Sequence, residues 1–319
     1  MVDSFSRKID YLRVSITDRC NLRCKYCVSD NFTRYPRQEI LQYEEFLRLC
    51  TIMARLGVES FRVTGGEPLM RKGCVGFIQS LKSIPDAKNV TLTTNGVLLN
   101  NYIQDLAHAR LDGLNISLDS VCRENYRNIT GADAFDSVWQ ALHKAVEYGI
   151  PTKINSVIVK GVNSHEILKI AEIAEKMPVN VRFIELMPTG VNKGCKGVPS
   201  TEVLQIISKK YGPLTMCNSV NGSGPARYYG SNCLIGKIGF ISPINHIFCQ
   251  CCNRLRVSST GFLRLCLHHD TGIDLKCLLR GSATDDEIKQ AILTAVYEKP
   301  QRHFLQSETN LQDMSKIGG

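Results

Sequence analysis

The amino-acid sequence predicts an α/β protein built around a parallel β-sheet. Between Tyr11 and about Met187, short β-branched runs alternate with Gly, Asn or Thr breaks and with segments of helical periodicity. Strands that alternate with helices favour parallel pairing through crossover helices. Six such units fit either an open doubly wound sheet or an incomplete barrel of the triose-isomerase type, and the pattern leaves both alternatives open.

The predicted strands and helices follow one another in a regular order. The strands are expected at residues 12–16, 61–64, 90–94, 114–118, 154–159 and 181–186. The helices are expected near residues 43–56, 72–83, 100–109, 133–148 and 164–177.

The rhythm of the sequence changes after about residue 188. Loops rich in Gly, Asn, Ser and Pro surround a predicted helix at 201–210. The strand-like runs KIGFIS and RLRVSS, a cysteine cluster and a final helix near 285–297 follow. We therefore expect a core of residues 1–230 and a smaller C-terminal region of residues 231–319.

Composition limits the class of protein and its compartment. The chain has 319 residues, of which 43 % are apolar, so it can bury a full core. The first ten residues carry no apolar run, and no stretch approaches the roughly 18 apolar residues of a membrane span, so we expect a cytoplasmic protein without membrane association. The net charge of +9 is compatible with a nucleic acid or nucleotide partner or simply with solubility. Some of the fourteen cysteines should serve metal binding or catalysis rather than form disulfides.

Three cysteines follow the first predicted strand with the spacing Cys20-x3-Cys24-x2-Cys27. Three thiolates can hold a four-iron, four-sulfur cluster by three corners, which leaves one iron open to another ligand. Zinc with a distant fourth ligand, or three unrelated core thiols, are the alternatives. The motifs TGGEP, TTNG, SLDS and MPTG follow other predicted strands, at the edge where parallel α/β folds place their active sites.

A second cysteine trio lies in the C-terminal region, with the spacing Cys249-x2-Cys252-x13-Cys266. It could hold another cluster, or zinc with His268 or His269 as the fourth ligand. The neighbouring Cys251 could replace Cys252, although the C-x2-C turn favours Cys252.

Arg254 and Arg256 lie just beyond this second cysteine turn. They are two residues apart in a predicted strand, so both guanidinium groups project from one face. Paired guanidinium groups suit phosphate oxygens, whereas a solvated edge strand is the alternative interpretation.

The run CNLRCKYC and the turn Gly65-Gly66-Glu67-Pro68 together resemble the signatures of the radical S-adenosylmethionine (SAM) superfamily. The resemblance implies an incomplete (βα)6 barrel of the triose-isomerase type. It also implies a [4Fe-4S] cluster on the first cysteine trio, whose open iron binds SAM and whose reduction yields a 5′-deoxyadenosyl radical. The positions that match cofactor contacts of the superfamily are Tyr26, Gly66, Ser117 and Met187.

Further motifs are similar to the GTP cyclase family of molybdenum cofactor biosynthesis. They are CNRLRV, TGFLRLCL, RFIELMPTG, GPARYY, IGFISPINHIFC and the terminal Gly-Gly. This resemblance implies conversion of GTP to (8S)-3′,8-cyclo-7,8-dihydroguanosine 5′-triphosphate, with a second [4Fe-4S] cluster on Cys249, Cys252 and Cys266 that takes the guanine.

The same resemblance implies roles for individual residues and partners. The substrate contacts would be Arg13, Arg62, Thr93, Lys153, Arg182, Arg254, Leu255 and Arg256. The catalytic residues would be Arg13, Arg254, Arg256, Gly318 and Gly319. The implied partners are an electron donor protein, the cyclic pyranopterin monophosphate synthase that takes the product, and a second copy in a homodimer, with no nucleic acid.

Two positions depart from the cyclase pattern. Val28-Ser29 stands where a Met-Pro pair is common, and Ser60 stands where many members have a lysine. The second change is expected to weaken the grip on the triphosphate. A radical SAM peptide maturase and a zinc-stabilised nucleic-acid-binding protein are the competing functions.

Overall fold

The computed structural model describes residues 1–29, 32–187, 192, 194–217, 224–244 and 248–302. Its centre is a parallel sheet of six strands in chain order, each paired with the next. The strands are β1 (Tyr11–Ser15), β2 (Ser60–Thr64), β3 (Asn89–Thr94), β4 (Gly113–Ser117), β5 (Thr152–Ile158) and β6 (Asn180–Glu185). All six strands predicted from the apolar runs are therefore confirmed to within two residues at each end.

Helices connect these strands and cover the outer face of the sheet. They are α1 (Tyr43–Arg55), α2 (Cys74–Lys82), α3 (Ile103–His108), α4 (Arg123–Thr130), α5 (Phe135–Glu147) and α6 (Ile167–Lys176). The periodicity predicted five of them and missed α4, whose polar sequence buries only Tyr126, Ile129 and Thr130. Helix α1 begins with a capping box between Gln42 and Glu45.

The C-terminal half adds strands to both edges of this sheet. The added strands are β7 (Thr215–Cys217), β8 (Arg227–Gly230), β9 (Ile238–Ile241), β10 (Arg254–Val257), β11 (Phe262–Arg264) and β12 (Gly272–Asp274). Strand β10 pairs in parallel with β1, and β9 pairs in parallel with β6. The sheet thus has the order β12-β11-β10-β1-β2-β3-β4-β5-β6-β9-β8-β7. Helices α7 (Ser200–Tyr211), α8 (Lys276–Arg280) and α9 (Asp285–Tyr297) complete the described fold.

The two faces of each strand have different environments. On β1, Leu12 and Val14 are fully buried in the apolar core beneath the helices, whereas Arg13 between them lines an internal cavity. This is the two-residue alternation of a strand. Because residues from β1 to β6, β9 and β10 line one cavity, the sheet curves into the incomplete barrel that was expected.

Two further expectations concern the chain as a whole. The domain boundary near residue 230 stays a prediction, since one sheet contains strands from both sides of it. In the described part of the chain, no helix has the length and hydropathy of a transmembrane span.

Candidate active site

Both cysteine trios line the same cavity, which has a volume of about 330 Å³ inside the incomplete barrel. The first trio enters it from the loop after β1, and the second enters from the segments on either side of β10 and β11. Strand β10 lies beside β1, so residues far apart in sequence become neighbours. The six lining thiols are those of Cys20, Cys24, Cys27, Cys249, Cys252 and Cys266.

The GGEP turn packs directly against the start of the first cysteine loop. The Gly66 N–H donates to the Thr17 carbonyl at 2.7 Å, and the Glu67 N–H donates to the Arg19 carbonyl at 2.7 Å. A Cβ atom on Gly66 would lie 2.4 Å from the Arg19 carbonyl oxygen, and one on Gly65 would lie 2.6 Å from that of Thr17. The two glycines are therefore needed by the chain itself, because no larger residue lets these backbones approach so closely.

Glu67 anchors this turn through a fully buried carboxylate. It accepts hydrogen bonds from the Leu69 N–H at 3.0 Å, the Thr94 hydroxyl at 2.7 Å and the Asn95 N–H at 2.7 Å. Burial raises its pKa to about 7, and these three donors oppose the rise. Glu67 thus ties the GGEP turn to the end of β3, a role that the sequence did not reveal.

The thiols of the first trio have the surroundings of metal ligands. The Leu22 N–H lies 3.4 Å from the Cys20 sulfur and the Asn95 side-chain N–H donor lies 3.7 Å from it. Burial raises the pKa of both Cys20 and Cys24, so thiolates at these positions need nearby positive charge, which iron supplies. In the described ranges, no three His, Cys, Asp or Glu side chains are close enough to chelate one metal ion; a cluster bound at three corners does not require this, since each thiolate binds its own iron. The trio therefore fits a [4Fe-4S] cluster.

Tyr26 joins this loop to the ends of β4 and β5. Its hydroxyl donates to one oxygen of Asp119, whose other oxygen accepts the Val157 N–H at 2.7 Å. Burial raises the pKa of Asp119 to about 6. Asp119 belongs to the SLDS motif but was not singled out in the sequence.

The four predicted cofactor residues, Tyr26, Gly66, Ser117 and Met187, all line the cavity. The side chain of Asn155, on β5, lines it as well. The buried Asn155 Oδ1 and Thr93 Oγ1 atoms have no hydrogen-bond partner among the described residues. Such buried polar atoms normally have partners, so both atoms are candidates to contact a ligand. In the sequence, only the alternation of side chains between the two faces of β5 could have indicated that Asn155 faces the cavity.

Basic side chains converge on the same cavity. Five arginines line it, namely Arg13, Arg62, Arg182, Arg254 and Arg256. Burial lowers the pKa of Arg182 to about 10. Burial and, after it, the charge of the neighbouring Arg254 together lower the pKa of Arg256 to about 10. The pKa of Arg13 is also lowered, by burial first and then by Arg256. Buried cations that repel one another favour a polyanionic ligand.

Two of the predicted substrate residues, both in the described part of the chain, lie outside the cavity wall. Leu255 is fully buried in the apolar core, so its side chain points away from the arginines on either side of it. Lys153 stands on β5, with its Nζ 5.9 Å from the centre of the Tyr228 ring. Burial lowers the pKa of Lys153 to about 8, and the charges of Arg182 and Arg62 contribute. Gly318 and Gly319 lie outside the described residues.

The second trio consists of Cys249 and Cys252, in a short turn before β10, and Cys266, two positions after the end of β11. The Cys252 N–H donates to the Cys249 carbonyl at 3.2 Å, which closes the turn. Burial raises the pKa of Cys252, but Lys299 and Arg254 lower it by more, so the net pKa is lowered. Cys251 is exposed and its sulfur lies 3.5 Å from the Phe248 carbonyl oxygen.

All fourteen cysteines lie in the described part of the chain, and none of them forms a disulfide.

Two family models match the chain. The model described as "Radical SAM superfamily" matches residues 14–174, and the one described as "Molybdenum Cofactor Synthesis C" matches residues 179–305.

Curated relatives named GTP 3′,8-cyclase are similar over the whole of both chains. The protein from Clostridium perfringens (strain SM101 / Type A) is 39 % identical over 323 residues, covering 100 % of each chain. Those from Desulforamulus reducens and Thermodesulfovibrio yellowstonii are 41 % and 42 % identical, again with 100 % of each chain covered.

Solved structures share the fold at low sequence identity. The structure of Streptococcus suis SuiB bound to S-adenosylmethionine matches with a TM-score of 0.67 at 15 % identity. The match covers 91 % of this chain and 68 % of the SuiB chain. Native anSMEcpe with bound AdoMet has a TM-score of 0.60 at 17 % identity, with 91 % and 81 % covered. With its matching family model and its relatives of about 40 % identity, the chain belongs to the radical SAM superfamily and, within it, to the family of proteins named GTP 3′,8-cyclase.

Proposed function

We propose that this enzyme converts GTP to (8S)-3′,8-cyclo-7,8-dihydroguanosine 5′-triphosphate, the first step of molybdenum cofactor biosynthesis. The observation that carries the proposal is the convergence of two cysteine trios and five arginines on one cavity. The curated relatives, similar over their full length, support the same reaction.

The first trio would hold the [4Fe-4S] cluster. When bound and reduced, this cluster would supply the electron that cleaves SAM, which provides the radical chemistry for removal of the ribose 3′ hydrogen. Closure of the C3′–C8 bond would leave a radical on the guanine, which one further electron from the electron donor protein and one proton would convert to the 7,8-dihydro product. Cys20, Cys24 and Cys27 bind the cluster, while Tyr26, Gly66, Ser117 and Met187 surround the SAM site. The protein positions both reactants and excludes water.

The second trio would hold another cluster in the same cavity, where its open iron would bind the guanine base. Cys252 is favoured over Cys251, because Cys252 lines the cavity and Cys251 is exposed. We expect Cys252→Ser to lose about half of the iron of the fully loaded protein, whereas Cys251→Ser keeps all of it. Equal iron loss in both variants would contradict this assignment.

The basic residues would hold the triphosphate. Arg13, Arg254 and Arg256 lie side by side on β1 and β10, since Arg13 is in register with Arg256. Arg62 is in register with Arg13 on the other side. Ser60 precedes Arg62 by two residues and is buried. Many members of the family have a lysine at this position, so the serine leaves the site with one positive charge fewer. We therefore expect Ser60→Lys to bind GTP more tightly than the native chain.

Anaerobic reconstitution tests the whole proposal. The protein is loaded with iron and sulfide, its metal is counted, and it is incubated with GTP, SAM and reductant. Two four-iron clusters and a cyclised nucleotide are expected. The proposal would be overturned if the protein bound stoichiometric zinc instead of iron. It would also be overturned if the reconstituted protein modified a peptide and left GTP unchanged.

The Gly-Gly terminus is proposed to enter the active site. Removal of Gly318 and Gly319 is expected to abolish cyclisation while SAM is still cleaved. Full product formation by the truncated protein would refute this role.

The remaining partners are also proposals. The first cysteine loop is bound to the end of α4 through the Arg23 N–H to Thr130 and the Lys25 N–H to Ile129, and Arg23, Lys25 and Arg127 are exposed there. This basic surface suits an acidic electron donor protein. We further propose that the product passes to the cyclic pyranopterin monophosphate synthase, that the enzyme works as a cytoplasmic homodimer, and that residues 1–230 and 231–319 form its two regions.

A further inference from the structure

Arg7, near the beginning of the chain, is a buried cation that holds the last described segment in place. One of its terminal nitrogens donates to the Cys249 carbonyl at 2.8 Å and to the Gln301 carbonyl at 2.9 Å. The other donates to the Pro300 carbonyl at 2.8 Å and to the Lys299 carbonyl at 3.3 Å. Its Nε pairs with Asp3 at 2.5 Å. Arg7 thus joins the first cysteine of the second trio to the segment that follows α9.

Lys299, within that segment, contacts the backbone beside the other two cysteines of the trio. Its ammonium is buried, lines the cavity, and donates to the Arg254 carbonyl at 3.0 Å and to the Leu265 carbonyl. Arg254 follows Cys252 by two residues, and Leu265 immediately precedes Cys266. Lys299 therefore links the backbone just after Cys252 to the backbone just before Cys266.

The charge of Lys299 has an unusual environment. In the described part of the chain, no carboxylate forms an ion pair with it. Burial and the charges of Arg7 and Arg254 lower its pKa, while the thiols of Cys252 and Cys266 act in the opposite direction. A buried ammonium is costly unless it is paired with negative charge. Cys252 and Cys266, whose neighbouring carbonyls Lys299 contacts, would supply that negative charge as ligands of a bound cluster.

We propose that Lys299 is a positioning residue for the second cluster, held in place by Arg7. Its two carbonyl contacts fix the separation of Cys252 and Cys266, and its positive charge offsets that of their thiolates. Charges and hydrogen bonds around cluster sulfurs set the reduction potential of such clusters, and a nearby cation stabilises the reduced, more negative form. The inference rests on the proposed second cluster and extends it, since neither Lys299 nor Arg7 belongs to the cysteine motif.

The test compares Lys299→Met and Arg7→Met with Lys8→Met in the reconstituted full-length enzyme. Lys8→Met is the control, because it also removes one positive charge next to Arg7 in the sequence, but from a side chain that is 62 % exposed. Iron per chain is counted, and the potential of each cluster is measured by redox titration followed by electron paramagnetic resonance. SAM cleavage without GTP reports on the first cluster and on correct folding.

For Lys299→Met we expect either a lower potential of the second cluster or loss of half of the iron, with the first cluster unchanged. Arg7→Met should shift the second cluster in the same direction by a smaller amount, and Lys8→Met should match the native protein. An unshifted second cluster with full iron in Lys299→Met overturns the inference alone. Native protein that binds only four irons overturns the proposed second cluster, and the inference with it.

Discussion

GTP should bind to this protein about tenfold more weakly at pH 9 than at pH 7, because Lys153 loses its charge in this range. Burial lowers the pKa of Lys153 to about 8, and the charges of Arg182 and Arg62 act in the same direction. Lys153 lies outside the cavity wall, but it is near enough to Arg182 and Arg62 for their charges to act on it, and we propose that it also attracts the triphosphate. The bound anion then favours the ammonium form and raises the pKa of Lys153. Binding therefore takes up a proton, and affinity must fall as the pH rises above the pKa of the free protein.

The size of the effect follows from the two protonation states. With a pKa of about 8, the ammonium is present in roughly nine tenths of free molecules at pH 7 and in roughly one tenth at pH 9. If the complex keeps Lys153 charged, the ratio of affinities is about ten, which corresponds to about 1.4 kcal/mol.

Isothermal titration calorimetry with GTP, without SAM or reductant, measures this ratio. Buffers of different ionisation enthalpy report the uptake of protons, expected near half a proton at about pH 8. Lys153→Arg is the matched control, because arginine stays charged and should remove this part of the pH dependence. Titrations of GTP itself occur in both proteins and cancel. Equal affinity of the native protein at both pH values, or an unchanged dependence in Lys153→Arg, would refute the reasoning.

The other predictions concern the arginines, the GGEP turn and the Tyr26 contact. Arg182→Ala should weaken GTP binding by tenfold or more, because a charge-assisted hydrogen bond contributes about 1.5–3 kcal/mol. SAM cleavage without GTP should be unchanged in this variant. An unaltered Kd for GTP would exclude Arg182 from the substrate site. Gly66→Ala should prevent assembly of the first cluster, because the added Cβ would lie 2.4 Å from a backbone oxygen. Gly76→Ala on α2 is the control and should retain full iron, because a Cβ there would have no atom within 4 Å. Full iron in Gly66→Ala would contradict the packing argument. Tyr26→Phe removes the donor to the buried Asp119 and should lower the stability of the protein by about 1–3 kcal/mol in urea denaturation; a smaller loss than about 0.5 kcal/mol would mean that the contact contributes little.

Local sequence patterns predicted the main strands because each is a short apolar run that must be buried on at least one face. They failed where a distant residue completes the element. Helix α4 has few apolar residues, and the segment that leads into it is held by the Glu166 carboxylate, which accepts the Val121 N–H at 2.8 Å and the Cys122 N–H at 3.1 Å. A contact across more than forty positions leaves no periodic signal.

The candidate site was predictable to the extent that its chemistry lies in contiguous motifs. The spacing of each cysteine trio, the GGEP turn and the arginine pair of β10 are visible in the sequence. Glu67 and Asp119 were missed as individual contributors, because their importance comes from burial and from partners elsewhere in the sheet. Asn155 was missed because only its place on the cavity wall and its unpartnered amide oxygen distinguish it.

The sequence by itself determined the alternation of strands and helices and the two sets of thiols, since these depend on residue type and on spacing within a few positions. The tertiary structure alone decided that β10 lies against β1 and β9 against β6, which brings both trios and the arginines into one cavity. The same holds for Arg7 and Lys299, which meet the second trio from opposite ends of the chain. The physical reason is that a strand's pattern fixes which of its faces is buried, whereas its neighbours in the sheet are chosen by the packing of the whole chain.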